Sequence, residues 1–183
     1  MPTDPNLLVS QDQIAEEAGL PEAVHADLEA FLNYWHSKRG PRLMPARDDI
    51  RPEEIRRLLP GICLLDLDYR AGHLERLRFR LAGTALYDMI GRDVTGLCLH
   101  DIIPPPVYRR VRHQFTQIIA DGRPRYRRIT WPRGPRPHVV YERILAPLGP
   151  PDGAPTMFIG MHAIVDNARP WRSGPEGEPV PLG

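Results

Sequence analysis

The chain has 183 residues, a net charge of +1 and 26% charged residues, as expected of an ordinary globular protein with one domain and tails. No segment approaches the ~18 consecutive apolar residues that a membrane span requires, and the N-terminus lacks the basic and apolar regions of a secretory signal. We therefore expect a soluble cytoplasmic protein without membrane association, in which Cys63 and Cys98 are buried, reduced thiols.

Helices are predicted first along the chain. A capping box predicts a helix over 10–18, and a second helix is expected over 21–38, ending before Gly40. The second helix carries apolar residues at helical spacing, and this stripe must be buried against another surface. The stripe consists of Leu20, Val24, Leu28, Phe31, Leu32 and Trp35. A linker over 41–51 leads to a short helix over 52–59.

Two strands are predicted next. Residues 62–67 are apolar and rich in β-formers. Further on, Phe79 and Leu81 alternate with Arg80 in the period-two pattern of a half-buried strand, which places the two apolar residues on one face. The segment 69–73 between the strands has the glycine-containing composition of a hairpin turn.

One long helix separates these strands from three others. Helical segments are expected over 84–90, 97–102 and 106–120, and strands over 125–131, 138–147 and 156–166. Tight turns between successive strands imply antiparallel pairing. The predicted fold class is α+β: a five-stranded antiparallel sheet with short helices and one long helix on one face, preceded by N-terminal helices. The predicted organisation is an N-terminal extension over 1–59, a core over 60–166 and a disordered tail over 167–183.

Several short segments add to this element order. In the core they are Phe79–Thr84, Gly91–Gly96 and His100–Pro104; upstream they are Tyr34-Trp35, Pro41–Pro45, Asp49, Pro52 and Leu58-Leu59-Pro60. Together they resemble the PAS domain family, in particular its bacterial stand-alone members, over about residues 28–166. The resemblance implies a sensory or regulatory domain that binds a small ligand or a protein partner and signals by protein–protein contact, without catalytic residues of its own.

PAS proteins commonly dimerise through an N-terminal helix beside the core. The stripe fits that role through Leu20, Val24, Leu28, Phe31 and Trp35. The alternative is that the same stripe packs on the chain's own sheet.

The PAS resemblance also implies a ligand cavity between the sheet and the long helix. The expected lining residues are Leu65, Phe79, Arg80, Leu81, Thr84, Tyr87, Ile90, Val94 and Phe115. Arg80 and Thr84 are the polar candidates, although the alternation of the strand disfavours Arg80.

The cofactor is not identified by the sequence, and haem and cysteinyl flavin are both disfavoured. Haem-binding relatives use a histidine of the long helix or its approach, so the candidates are His100 and His113. His113 falls opposite the apolar face of its helix and is expected to point to solvent. Flavin-bonding relatives carry a cysteine where this chain has Val94, and Cys98 comes four residues too late. No pair of residues has a recognised metal-ligand spacing.

Two other classes of function stay open. An enzyme with a cone-shaped α+β cavity fold would use Asp66, Asp88, His100 and Asp101, and a ligand-free adaptor would act through its surface alone. Nucleic-acid binding is disfavoured, because residues 21–36 carry acids and no lysine or arginine where a recognition helix would be basic. The arginine-rich segment over 109–143 is expected to be solvated surface or a contact for an acidic partner.

Overall fold

The structure is a computed structural model that describes residues 10–14, 25–103, 105–133, 136–165, 171–173 and 179–181. Side chains are described over 25–103, 105, 108–109, 111–128 and 140–165. The main strands are β1 (Ser10–Ile14), β2 (Ile62–Arg70), β3 (His73–Ala82), β4 (Arg125–Arg133), β5 (Arg136–Leu148) and β6 (Met157–Ile164). They form one antiparallel sheet in the order β1-β4-β5-β6-β2-β3. The predicted five-stranded sheet is therefore confirmed, and β1 extends it by one strand.

Within the described residues, three α-helices flank the sheet: α1 (Ala26–Arg39), α2 (Thr84–Ile90) and α3 (Pro105–Asp121). Short 3-10 helices occupy Arg47–Asp49, Pro52–Glu54, Arg56–Gly61 and Leu99–Asp101. No helix in the described part of the chain is long and apolar enough to cross a membrane.

One face of the sheet, called here the α1 face, is covered by α1. Trp35 is buried in this layer, and its Nε1–H donates a hydrogen bond of 3.0 Å to the carbonyl oxygen of Pro147. The other buried residues include Leu28, Phe31, Met44, Ile55, Leu58, Ile62, Leu64, Ile144, Ile159 and Met161. Residues on both sides of position 60 thus share one core, so the N-terminal extension and the strands pack as one unit.

The opposite face, called here the α3 face, is covered by α2 and α3. The rings of Phe115 on α3 and Phe158 on β6 lie 5.8 Å apart at this contact. The layer also contains Cys63, Leu65, Leu77, Phe79, Leu86, Met89, Val94, Ile118 and Leu145. The sheet is therefore buried on both faces, which explains why β6 and the first half of β2 are almost continuously apolar.

The hairpin between β2 and β3 closes as the sequence predicts. Ala71 and Gly72 have φ angles of 49° and 78°, the two successive positive values of the tight turn that matches strand twist. Further along, Leu64 pairs with Leu81 while Leu65 pairs with Phe79. Arg80 is therefore the extra residue of a β-bulge, which changes the alternation of side chains in β3.

The predicted first helix is wrong over Ser10–Ile14, which is a strand paired with the edge of β4. The exposed edge of a sheet offers unpaired N–H and C=O groups, and here it overrides the local capping signal. The register places Asp12 opposite Arg127 in the backbone pairing.

The second helix begins later than predicted, at Ala26. His25 has the non-helical angles φ −59° and ψ 131°, and its imidazole nitrogen accepts a hydrogen bond from the backbone N–H of Asp27, so it caps the helix. In the predicted tail, the structure pairs two short strands, β7 (Trp171–Ser173) and β8 (Pro179–Pro181), so the tail is not uniformly irregular.

Candidate functional site

A polar side chain lies inside the α3 layer. Gln114 stands three residues after Val111 and four before Ile118, so all three share the face of α3 that packs on the sheet. The side chain of Gln114 is only 5% exposed. Among the described residues, neither its Oε1 nor its Nε2 has a hydrogen-bond partner. An amide buried without partners is uncommon in a folded protein and points to a missing water or ligand group.

Polar residues of β5 and β6 lie on the same side of the sheet. The rings of His162 and Tyr141 are 5.8 Å apart, and burial together with the charge of Arg143 lowers the pKa of His162 to about 3. The guanidinium carbon of Arg143 lies 5.9 Å from the ring of Phe115, a cation–π contact. His162 Nδ1 and Arg143 Nε have no hydrogen-bond partner within the part of the chain whose side chains are described.

Arg127 of β4 stands beside this group, directly opposite Arg143 in the register. It is 6% exposed, and burial and the neighbouring charge of Arg143 lower its pKa to about 9. Together with Gln114, His162 and Arg143, it forms what we call the inner polar cluster. The cluster was not predicted from the sequence; the available signal was Gln114, a polar residue at an inward position of an otherwise apolar helix face.

The predicted lining residues divide into two groups. Leu65, Phe79, Val94 and Phe115 are buried together in the α3 layer, and Ile90 packs against it. These five lie where the predicted cavity was expected.

The other four predicted lining residues lie elsewhere. Because Arg80 is the bulged residue, it turns to the surface, where its Nε donates to the carboxylate of Asp66 at 2.8 Å. Leu81 then falls on the opposite face from Phe79, which corrects the predicted alternation. Leu81 and Thr84 border a different cavity, and Tyr87 is 51% exposed.

That cavity has a volume of about 340 Å³ and opens on the α1 face. It lies between the segment 47–60 and the strands β2 and β3, and is called here the β2–β3 cavity. Its lining is almost entirely apolar: Ile55, Ile62, Leu64, Leu81 and Ile159 are among the lining residues, and Arg47 is the charged one.

The hydrophobic stripe of α1 packs on the chain's own sheet. Leu28, Phe31 and Trp35 are fully buried in the α1 layer, so they are not available for the predicted dimer contact. Leu20 and Val24 lie outside the described residues. Of the two alternatives for the stripe, the structure therefore supports packing on the sheet.

Upstream residues of the resemblance hold this arrangement in place. The hydroxyl of Tyr34 accepts a hydrogen bond from the N–H of Arg51 and donates one to its carbonyl oxygen. Asp49 accepts a hydrogen bond from the backbone N–H of Ala46 and pairs with Arg42 at 2.8 Å, and both contacts lower the pKa of its carboxyl group. These contacts fix the segment after α1 against the helix itself.

Of the residues weighed for a cofactor, the two histidines are at the surface, Cys98 is half-buried and Val94 is buried. His113 is exposed as predicted, and His100 is exposed with its ring 5.7 Å from that of Tyr108. Val94, at the position of the flavin-bonding cysteine, is fully buried.

Three residues with metal-binding side chains lie together on one turn, at a spacing that the sequence did not identify as a ligand pattern. The ligand atoms of Cys98, His100 and Asp101 are within 4.8 Å of one another on an exposed turn. Asp101 already accepts a hydrogen bond from the Cys98 N–H at 3.2 Å, so this carboxylate also caps the turn. The other candidates for the enzyme alternative, Asp66 and Asp88, lie on different elements, and Asp66 is paired with Arg80.

The chain matches the family described as PAS domain over residues 23–163. The chain belongs to the PAS domain family. This PAS domain has no match among curated proteins.

Two solved structures have a similar fold. One is the light state structure of the blue-light photoreceptor Aureochrome1 LOV, with 11% identity and a TM-score of 0.43, covering 63% of this chain and 88% of that chain. The other is an RNA-binding Light-Oxygen-Voltage receptor, with 14% identity and a TM-score of 0.46, covering 86% of this chain and 39% of that chain.

Proposed function

We propose that this PAS domain is a sensory or regulatory module, not an enzyme, that binds a small molecule between the sheet and α3 and signals by protein–protein contact. The observation that carries this proposal is Gln114, whose amide is buried on the sheet-facing side of α3 with no hydrogen-bond partner for either polar atom among the described residues. A buried polar group without a partner costs about 1–3 kcal/mol. A ligand that accepts from and donates to this amide would remove that cost.

The surroundings indicate an amphipathic ligand. The aromatic rings of Phe115 and Phe158 offer apolar contact, while the inner polar cluster offers donors and acceptors. Pockets of this composition, mostly apolar with a few placed polar groups, are typical of small-molecule sites. Arg143 Nε and His162 Nδ1, which have no hydrogen-bond partner among the described residues, add polar groups to this layer.

Native mass spectrometry on freshly purified protein tests the ligand. We expect a bound mass that is released on denaturation and that is lost from Gln114→Leu. Gln117→Leu is the matched control, because Gln117 is exposed on the same helix. An absorbance spectrum of the same sample identifies a chromophore.

The contrary result is equally specific. If the wild type carries no ligand and Gln114→Leu is simply more stable, the α3 layer is a packed core and the protein is a ligand-free adaptor.

We also propose that the protein acts as a homodimer in the cytoplasm. The family supports contact between proteins, and the two free cysteines are consistent with a reducing compartment. Because the stripe of α1 is buried, a dimer would use other surfaces. Sedimentation equilibrium on the wild type gives the oligomeric state; a monomer at all concentrations would contradict the homodimer.

A further inference from the structure

The β2–β3 cavity lies on the side of the sheet away from α3, so it is separate from the ligand space proposed above. Its floor is made by Ile62, Leu64 and Ile159 of the sheet, and one wall by Ile55. Leu81 of β3 also lines the cavity, and 42% of its surface is exposed. Water in such a space has few polar partners, so an apolar occupant is favoured.

The cavity is held open by backbone contacts. At Gly83, which follows β3, a Cβ atom would lie 2.3 Å from the carbonyl oxygen of Pro60 and 2.5 Å from that of Leu59. The N–H of Gly83 also donates a hydrogen bond of 2.8 Å to the carbonyl oxygen of Ile62. The two sides of the cavity therefore meet through main-chain atoms, which fixes their separation and preforms the site.

Arg47 supplies the charge at this cavity. Its Nη1 donates a weak hydrogen bond of 3.4 Å to the carbonyl oxygen of Ile50. No carboxylate among the described residues pairs with it; the nearby Asp49 pairs with Arg42 instead. Thr84 also borders the cavity. An arginine without an acidic partner beside an apolar space complements a molecule with an anionic head and an apolar body.

We propose that the β2–β3 cavity binds an anionic amphiphile, namely a free medium-chain carboxylate. Its carboxylate pairs with Arg47 and its hydrocarbon chain lies over Ile62, Leu64 and Ile159. A volume of about 340 Å³ holds roughly eleven water-sized groups at about 30 Å³ each. A chain of about ten carbons therefore fills it, and decanoate is the probe of choice.

Isoleucine methyl spectra locate the binding. Full-length protein labelled at isoleucine methyl groups is titrated with decanoate below its micelle concentration. We expect saturable shifts at Ile55, Ile62 and Ile159, which line the cavity, and none at Ile118 beneath α3. Shifts at Ile118 alone would place the carboxylate in the α3 layer and overturn the proposal, and so would the absence of any saturable shift.

Three variants and one analogue test the chemistry. Arg47→Glu is expected to lower the affinity for decanoate about tenfold or more, because a charge-assisted pair becomes a repulsion. Arg56→Glu is the matched control, since Arg56 is an exposed arginine of the same segment that does not line the cavity. Leu81→Trp is expected to abolish binding by filling the space, and decanol to bind about tenfold more weakly than decanoate.

Equal affinities for decanoate and decanol, or equal losses in Arg47→Glu and Arg56→Glu, would overturn the anionic site. Gln114→Leu separates the two proposals, because it is expected to leave decanoate binding unchanged. Loss of decanoate binding in Gln114→Leu would mean that the ligand lies beneath α3.

Discussion

The two faces of the sheet differ in whether their buried polar side chains have hydrogen-bond partners. On the α1 face two buried polar side chains are paired: Trp35 donates to Pro147, and the fully buried Glu142 accepts from the backbone N–H of His25 and from the hydroxyl of Tyr126. On the α3 face, Gln114 and the ring nitrogen Nδ1 of His162 have no partner within the described residues.

This difference separates a stabilising layer from a layer with unfilled bonding capacity. A fully satisfied buried network adds rigidity, whereas an unsatisfied one costs stability unless something else completes it. The layer under α1 stabilises one face of the sheet. The layer under α3 is the better place for a ligand to bind and change the stability of the fold.

The largest expected effect is at the centre of the α1 face. Trp35→Ala removes a fully buried indole and its hydrogen bond, and is expected to lower the free energy of unfolding by about 3–5 kcal/mol. Urea unfolding followed by circular dichroism measures it. Trp35→Phe keeps most of the packing and should lose less. Tyr87→Ala is the exposed control, and an equal loss there would show that α1 is not the stabilising layer.

The next effect tests the backbone contact behind the β2–β3 cavity. Gly83→Ala places a methyl group against the carbonyl oxygens of Leu59, Pro60 and Ile62, which cannot move like a flexible side chain. We expect a loss of about 1–3 kcal/mol or more in the same urea assay. Gly72→Ser is a control at a position with open space, although its positive φ adds its own strain. If Gly83→Ala left the free energy of unfolding unchanged, the two sides of the β2–β3 cavity would be able to separate easily.

Much of the fold is predictable because its signals are local. The bounds of α2 follow from Thr84 and the helix-ending Gly91, whose φ of 85° suits glycine. The succession of the strands along the chain and the hairpin follow from alternation and turn residues.

The misses depend on contacts between distant segments. Ser10–Ile14 carries a helix-capping signal but pairs with β4, which lies more than 100 residues away. The bulge at Arg80 arises from the pairing of β2 with β3 and moves Leu81 to the other face. The α1 stripe is equally apolar whether a partner or the sheet covers it, so its periodicity leaves the choice open. Gln114 was missed because one polar residue does not disturb a helical apolar pattern.

A smaller effect, on the pH dependence of stability, tests the α3 face. Burial, together with the charge of Arg143, lowers the pKa of His162 from 6.5 to about 3. Below pH 6.5 the unfolded chain binds a proton at this residue that the folded protein does not. The free energy of unfolding therefore falls on acidification from pH 6.5 toward pH 3, by at most ~1.4 kcal/mol per pH unit from this group.

Urea unfolding at several pH values measures this slope. His162→Gln is expected to flatten it, whereas His113→Gln, which changes an exposed histidine of α3, is expected to leave it unchanged. The same slope in the wild type and His162→Gln would show that the ring is protonated in the folded protein. The neighbouring strands β5 and β6 would then carry two adjacent positive charges, on Arg143 and His162, within the layer.

The smallest effect concerns the two thiols and tests how tightly the α3 face is closed. Cys63 is buried in that layer, and burial raises the pKa of its thiol to about 12, whereas Cys98 is only half-buried at the surface turn. Because the thiolate is the reactive form, an aromatic disulfide reagent at pH 8 is expected to modify one thiol per chain rapidly. Cys98→Ser should remove that fast phase and leave only the slow reaction of Cys63.

The slow rate then measures opening of the α3 layer, and a ligand that hydrogen-bonds to Gln114 should slow the reaction further. If Cys63 reacts as fast as Cys98, the α3 layer opens freely, and the unpaired amide is more simply explained by transient access of water than by a resident ligand.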